Sequence, residues 1–213
     1  YKKNRLFKEV ESYASKKKIE LLFTSNKKLD KLSGKIHQGA LARIKLFDLV
    51  DFEDILKKND KKKNQIYLLL DGITDVRNFG AIFRSALATD VSGIIVPENN
   101  SASINSDTIK ASAGAIFYIP TSKVNHLNDA IYELKSREFE IVGLEEKSSV
   151  NIFDEKFNQK TALILGSEGK GINKSTLNIV DKKVSIPMEG EINSLNVSVA
   201  CGISLYHITR NHA

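Results

Sequence analysis

The sequence predicts an α/β fold in which a mostly parallel sheet is covered by helices on both faces. From residue 66 onward, short apolar runs alternate with stretches of helical periodicity. The apolar runs are continuous, as expected for strands that are buried on both faces. The hydrophobic fraction of 41% and the charged fraction of 27% are ordinary for a globular chain of 213 residues. No run approaches the roughly 18 apolar residues of a membrane span, so no membrane partner is expected.

A smaller domain is predicted ahead of this sheet, and the charge distribution separates the two parts. Residues 1–63 contain 18 Lys and Arg against 9 Asp and Glu, whereas residues 64–213 contain 14 against 17. The positive excess is either a solvated lysine-rich face or an attachment surface for a polyanion such as nucleic acid. The segment 57–65 has the composition of an exposed charged linker. We therefore predict domains at 1–56 and 66–213.

Local patterns predict the N-terminal elements in order. Residues 4–18 have apolar side chains at helical spacing, 19–25 suggest a strand, 25–34 a short helix ending at Gly34, and 40–48 a second strand. A module of about 55 residues is at the small end for independent stability. The chain begins without Met, from which we expect that upstream residues are missing.

The larger domain is predicted as a regular alternation of strands and helices. Asn78 is expected to cap the first of these helices, and the last helix is expected to begin near Ser194. The predicted strands are 66–72, 93–97, 116–120, 139–145, 161–169 and 182–187, and the predicted helices before the last are 78–90, 105–115 and 125–137.

Three segments stand where ligands bind in open parallel sheets, outside the carboxyl ends of strands. They are residues 71–86, 165–172 and 186–206. The glycine loop in the second segment, GSEGKGI, matches neither the dinucleotide fingerprint nor the phosphate-binding P-loop, and it is not a hydrolase nucleophile elbow. Its glycines are either a tight turn or a close backbone approach to a ligand.

Metal and disulfide chemistry are not supported by the sequence. The four histidines, at positions 37, 126, 207 and 212, are scattered, and no Cys, His and carboxylate group has ligand spacing. The single cysteine, Cys201, excludes an internal disulfide framework and lies in an apolar helix, where packing is the expected role. A reducing cytoplasm is the compartment that this cysteine usage favours.

Taken together, the three segments NFGAIFRSA, LILGSEGKGI and IPMEGEINSLNVSVACGI closely resemble the three motifs of the SpoU/TrmH family of RNA ribose 2′-O-methyltransferases. They occur in the order of that family, and the resemblance covers residues 66–210. The N-terminal segment, with HQGALARI, resembles the end of the ribosomal-protein-like RNA-binding domain of the rRNA guanosine methyltransferases in this family. Its beginning is absent, so it is expected to be a partial domain.

The resemblance implies a SPOUT fold with a C-terminal trefoil knot and S-adenosylmethionine as co-substrate, without a metal. It also implies a homodimer and an rRNA partner. Residues matching the catalytic positions are Asn78, Arg84, Glu168, Ser194 and Asn196. Residues matching the positions that bind the methyl donor, largely through main chain, are Gly143, Leu165, Gly166, Ile186, Met188 and Leu195.

The function implied is 2′-O-methylation of a ribose in large-subunit rRNA, with guanosine as the target nucleoside. The alternatives are a tRNA guanosine methyltransferase, a resistance-type rRNA adenosine methyltransferase, and an RNA-binding ribosome assembly factor without catalysis. Whether Arg84 or an RNA phosphate takes the proton of the 2′-hydroxyl is open at this level, because arginine normally stays protonated.

Overall fold

The computed structural model describes residues 5–34, 37–44 and 48–211, and the chain forms two compact units that divide between residues 46 and 47. This division precedes the predicted linker, because the helix Phe52–Asn59 belongs to the second unit. Ile55 and Leu56 of this helix are fully buried in the second unit's core. The predicted linker therefore begins inside the last turn of a helix that the sequence analysis did not identify.

The described residues of the first unit form the helices α1 (Arg5–Lys16) and α2 (Asn26–Ser33). The second helix ends as predicted at Gly34, whose φ of 59° is the left-handed conformation that favours glycine at a helix end. The strand predicted at 19–25 is wrong: the segment has no regular secondary structure and pairs with no strand in the described part of the chain. The strand predicted at 40–48 lies partly outside the described residues, and 40–44 form no strand.

The second unit is built on a parallel sheet covered by helices, as predicted, and its described residues contain six strands. Their order in the sheet is β3-β2-β1-β5-β4-β6. The strands are β1 (Gln65–Asp71), β2 (Gly93–Pro97), β3 (Thr121–Val124), β4 (Glu140–Leu144), β5 (Lys160–Gly166) and β6 (Lys182–Val184). The helices are α3 (Phe52–Asn59), α4 (Val76–Ala88), α5 (Ser106–Ala111), α6 (Leu127–Ser136), α7 (Lys174–Leu177) and α8 (Val197–Asn211).

Helices cover both faces of this sheet. One apolar core contains side chains of α4 and α8, and the other contains side chains of α3 and α6. Connections that move toward β3 lie on the first face and those that move toward β6 lie on the second, so all crossovers share one hand. The central strands β1 and β5 end side by side, with Asp71 in register with Gly166.

The strand predicted at 116–120 is wrong. Residues Ala115–Phe117 form a 3₁₀ turn, and the strand begins only after Pro120. The turn starts at Gly114, whose φ of 83° reverses the chain, and it buries Ile116 and Ile119 in the core. The apolar run that suggested a strand is therefore explained by the burial of a turn.

The C-terminal segment runs beside the connection between β4 and β5. Ser185, just after β6, forms a bridge with Asn151, and α8 contacts the turn Ile152–Asp154. Threading of this segment into a trefoil knot stays a prediction. Within residues 5–34, 37–44 and 48–211, no helix is both long and apolar enough to cross a membrane.

Candidate active site

Asn78, Glu168 and Asn196, one from each of the three sequence segments, meet in one hydrogen-bonded cluster at the carboxyl edge of the sheet. Glu168 Oε1 accepts from Asn78 Nδ2 at 3.0 Å and from Asn196 Nδ2 at 2.9 Å. Asn196 Nδ2 also donates to Asn78 Oδ1 at 2.9 Å. The second carboxylate oxygen of Glu168 has no hydrogen bond to any described residue, so it can accept a hydrogen bond from a ligand.

Asn78 is available for this cluster because another residue caps its helix. The predicted cap at Asn78 is wrong: α4 begins at Val76, and the Asp75 carboxylate accepts from the backbone N–H groups of Arg77 and Asn78 at 2.9 Å each. The hydrogen bond from the Asn78 N–H holds the pKa of Asp75 below its usual range. With the cap supplied by Asp75, the Asn78 side chain is directed across to Glu168.

Glu168 lies at the tip of a tight loop that folds back on the end of β5. The backbone groups of Ser167 and Gly171 exchange hydrogen bonds of 3.1 and 2.9 Å. A Cβ added at Gly166 would stand 2.0 Å from the carbonyl carbon of Gly171 and 2.1 Å from the nitrogen of Ile172. Gly166 is thus required by the close approach of the loop's own backbone, whatever else it contacts.

Asn196 is oriented by the start of α8. The predicted start near Ser194 is three residues early, because the first helical residue is Val197. The Asn196 carbonyl accepts from Ala200, and its Oδ1 accepts from the backbone N–H and the hydroxyl of Ser198 at 3.0 and 2.6 Å. Asn196 is therefore the cap of the helix, and its Nδ2 is left to donate to the cluster. Ser198 and Asp75 were not predicted from the sequence, although both stand at the start of a helix, where capping residues are expected.

Two predicted catalytic residues lie outside the cluster. Arg84 is exposed on α4, and neither it nor Ser194 has a side-chain hydrogen bond or an ion pair with a described residue. Arg84 lies six residues after Asn78 in the helix, which is about 9 Å along the axis and about 120° around it. Within one chain, Arg84 therefore lies on a different side of α4 from Asn78.

The six residues predicted to bind the methyl donor lie at or beyond the carboxyl ends of β4, β5 and β6. Leu165 is 1% exposed with its side chain in the core, so only its main chain is available to a ligand. Gly143 is buried within β4, between β5 and β6. Ile186, Met188 and Leu195 are half-buried in segments without regular structure. Partly exposed apolar side chains are the kind of group that lines an adenosine-binding pocket, and the assignment of these six residues to the donor stays a prediction.

No group of three or more His, Cys, Asp or Glu side chains in the described part of the chain is arranged to hold a metal ion. Cys201 is fully buried in α8, and burial raises the pKa of its thiol. A neutral, enclosed thiol is a poor nucleophile.

In the first unit, one histidine fixes the start of the HQGALARI segment. His37 Nδ1 accepts from the backbone N–H of Gly39 at 2.9 Å, and its Nε2 lies 2.9 Å from Asp30 Oδ1. Because Nδ1 accepts, Nε2 carries the proton and donates to Asp30. The pair attaches the segment to α2.

Comparison with known proteins gives concordant results. Residues 65–206 match the SpoU rRNA Methylase family, and residues 2–49 match the domain described as RNA 2'-O ribose methyltransferase substrate binding. A protein of Staphylococcus aureus (strain COL) that carries the name TrmH family tRNA/rRNA methyltransferase is 34% identical over 209 residues, covering 98% of this chain and 84% of its own.

Two solved structures are similar in fold. One is the SpoU methyltransferase AviRb of Streptomyces viridochromogenes in complex with AdoMet (TM-score 0.69, 28% identity, 76% of this chain and 65% of that chain). The other is a TrmH/SpoU tRNA modifying enzyme of A. aeolicus (TM-score 0.64, 32% identity, 74% of this chain and 84% of that chain). The resemblance carried by the three motifs is confirmed: this protein belongs to the SpoU rRNA methylase family.

Proposed function

We propose that this chain transfers a methyl group from S-adenosylmethionine to the 2′-oxygen of a ribose in large-subunit rRNA, with guanosine as the target nucleoside. The observation that carries the proposal is the cluster of Asn78, Glu168 and Asn196, because it unites the three sequence motifs at the edge where parallel sheets bind ligands. Residues that match a substrate-binding domain precede it. Its compartment is the cytoplasm, where its rRNA partner is found.

The donor supplies an electrophilic methyl group, and the chain's residues hold and orient it. The AdoMet complex of AviRb supports S-adenosylmethionine as the donor. Ile186, Met188 and Leu195 form apolar walls, while backbone groups of Gly143, Leu165 and Gly166 face the polar parts. Transfer forms a bond from the 2′-oxygen to the methyl carbon as the bond from carbon to sulfur breaks, and the hydroxyl proton must leave.

The cluster orients the ribose for in-line attack. The free oxygen of Glu168 accepts a ribose hydroxyl hydrogen bond, and Ser194, in the segment before Asn196, adds a further polar group. Arg84 holds an RNA phosphate through two of its guanidinium nitrogens, and this phosphate takes the proton while Arg84 stabilises the charge. A lysine cannot form this bidentate contact. Arg84→Lys should therefore lower kcat at least tenfold, whereas Arg137→Lys, at the opposite edge of the sheet, should not.

The enzyme acts as a homodimer, with Arg84 of one subunit facing the cluster of the other. The outer face of α8 supports a second copy as its partner. Val199, Ile203 and Tyr206 follow each other at spacings of four and three residues, and Val199 and Tyr206 are 50% and 56% exposed. Tyr206→Glu should give a monomer with lost activity in sedimentation and methylation assays. Tyr132→Glu, at a tyrosine that is 57% exposed on α6, is the matched control.

The N-terminal unit anchors the RNA. Its excess of positive charge supplies affinity through phosphate contacts, without sequence information. A looped or single-stranded target is expected, because the ribose must be turned outward to reach the cluster.

The deciding experiment combines labelled S-adenosylmethionine with protein-free large-subunit rRNA and, in a parallel reaction, with tRNA, followed by complete alkaline hydrolysis. A methylated 2′-oxygen cannot attack its phosphate, so label that survives in a dinucleotide reports ribose methylation and identifies the nucleoside. Label in a guanosine dinucleotide supports the proposal. Label in an adenosine dinucleotide indicates a resistance-type enzyme, and label with tRNA alone indicates a tRNA enzyme, as the A. aeolicus neighbour suggests. Donor binding without transfer to either RNA indicates a non-catalytic assembly factor.

A further inference from the structure

Asp71 is a buried carboxylate at the end of β1 that the catalytic cluster does not use. The residue is 5% exposed. A carboxylate is removed from water only where hydrogen bonds compensate for the lost hydration. The partners of Asp71 therefore indicate what it does.

Asn173 is the partner of both carboxylate oxygens. Its backbone N–H donates to Asp71 Oδ2 at 2.8 Å, and its Nδ2 donates to Asp71 Oδ1 at 2.6 Å. Asp71 also stands in register with Gly166 across the pair of strands. The loop 167–172 therefore leaves the sheet beside Asp71 and is fastened to Asp71 where it returns.

This loop carries Glu168. Between the two points of attachment the chain is held by the backbone bridge between Ser167 and Gly171. Glu168 is exposed at the tip, and its contacts to Asn78 and Asn196 reach it from two helices. Its position relative to those amides thus depends on how the base of the loop is fixed. Misplacement of a catalytic group by about 1 Å can cost about a hundredfold in rate.

We propose that Asp71 and Asn173 form a clasp whose role is to position Glu168 for methyl transfer. The inference rests on the proposed function, since Glu168 is assigned there to the ribose. Neither clasp residue contacts the cluster, so both are positioning residues.

The test uses the fact that the carboxylate and the amide can be exchanged between positions 71 and 173. Asn173→Asp sets two carboxylates against each other and should lower kcat about tenfold at saturating donor and RNA. Adding Asp71→Asn reverses the pair: the new amide at position 71 donates to the new carboxylate, and the N–H of residue 173 keeps its acceptor. The double variant should recover most of kcat. The matched control is Asp181→Asn, which removes a carboxylate bound to the Ile141 N–H and to Lys135 at the opposite edge of the sheet.

A double-mutant cycle with Glu168→Gln distinguishes an effect on the position of Glu168 from a general loss of stability. If the clasp acts through Glu168, Asn173→Asp should lower kcat less than about threefold in the Glu168→Gln background. An equal factor in both backgrounds, or failure of the added Asp71→Asn to restore kcat, would overturn the proposal.

Hydrogen exchange of the 167–172 amides provides a readout that does not need activity. Exchange should quicken in Asn173→Asp and return to the wild-type rate in the reversed pair. An inactive wild-type enzyme would contradict the proposed function, whereas unchanged loop exchange in Asn173→Asp would contradict the clasp.

Discussion

Gly166→Ala is expected to disable the loop that carries Glu168. The added methyl carbon would stand 2.0 Å from the carbonyl carbon of Gly171 and 2.1 Å from the nitrogen of Ile172. Carbon atoms in contact prefer about 3.5 to 4.0 Å, so one of the two backbones must move by about 1.5 Å. Both atoms belong to backbone, and no side chain can rotate away to relieve the contact. The displacement would disturb the two backbone hydrogen bonds between Ser167 and Gly171.

The size of the effect follows from this displacement. Overpacking costs about 1–3 kcal/mol, and a clash with backbone belongs at the upper end. For a chain of this length, about 3 kcal/mol lowers Tm by about 6–12 °C. A shift of more than 1 Å at Glu168 should lower kcat about a hundredfold or more.

Gly143→Ala is the matched control, because the sequence analysis assigned both glycines to the donor site. A Cβ at Gly143 would meet Ile172, Leu177 and Val180 side chains at 3.4–3.5 Å, which is ordinary contact. Its Tm should stay within about 2 °C of the wild type, since alanine also costs less entropy than glycine in a strand. Thermal melting and single-turnover methylation measure both variants. A wild-type Tm and kcat in Gly166→Ala would contradict the claim that the backbone of Gly171 and Ile172 leaves no room for a side chain at position 166.

Three further outcomes are expected. Asp75→Ala removes the cap of α4 and should cost about 1 kcal/mol, seen as a fall in Tm of about 2–4 °C. The hydrogen bond from the Asn78 N–H lowers the pKa of Asp75 in the folded state. The ionised Asp75 carboxylate therefore adds to the free energy of unfolding at neutral pH, and this stabilisation is lost as the pH falls through that pKa. The Tm difference between wild type and Asp75→Ala should therefore narrow in acid. The Cys201 thiol, neutral and 0% exposed, should react with iodoacetamide only after denaturant unfolds the chain, and labelling of the native protein would contradict its burial.

Much of the fold could be predicted because its signals are local or periodic. The buried strand β1 is a continuous apolar run, and α2 ends at a glycine with positive φ. Predictions failed where the same local sequence pattern is compatible with two kinds of secondary structure. In the apolar run at 116–120, a turn buries Ile116 and Ile119 where a strand was predicted. The segment 19–25 has the composition of a strand but no strand to pair with among the described residues. The helix α3 was missed because its polar residues continue into the charged segment.

The residue types and order of three segments were enough to assign the family, because they match its motif pattern without any knowledge of the fold. Which side chains of those segments meet became clear only in the folded chain. Asn78, Glu168 and Asn196 are separated by up to 118 positions yet lie within 3.0 Å of one another, whereas Arg84 is only six positions from Asn78 and stands apart. The reason is physical: parallel strands bring distant loops to one edge of a sheet, and helical rotation turns near neighbours to different sides.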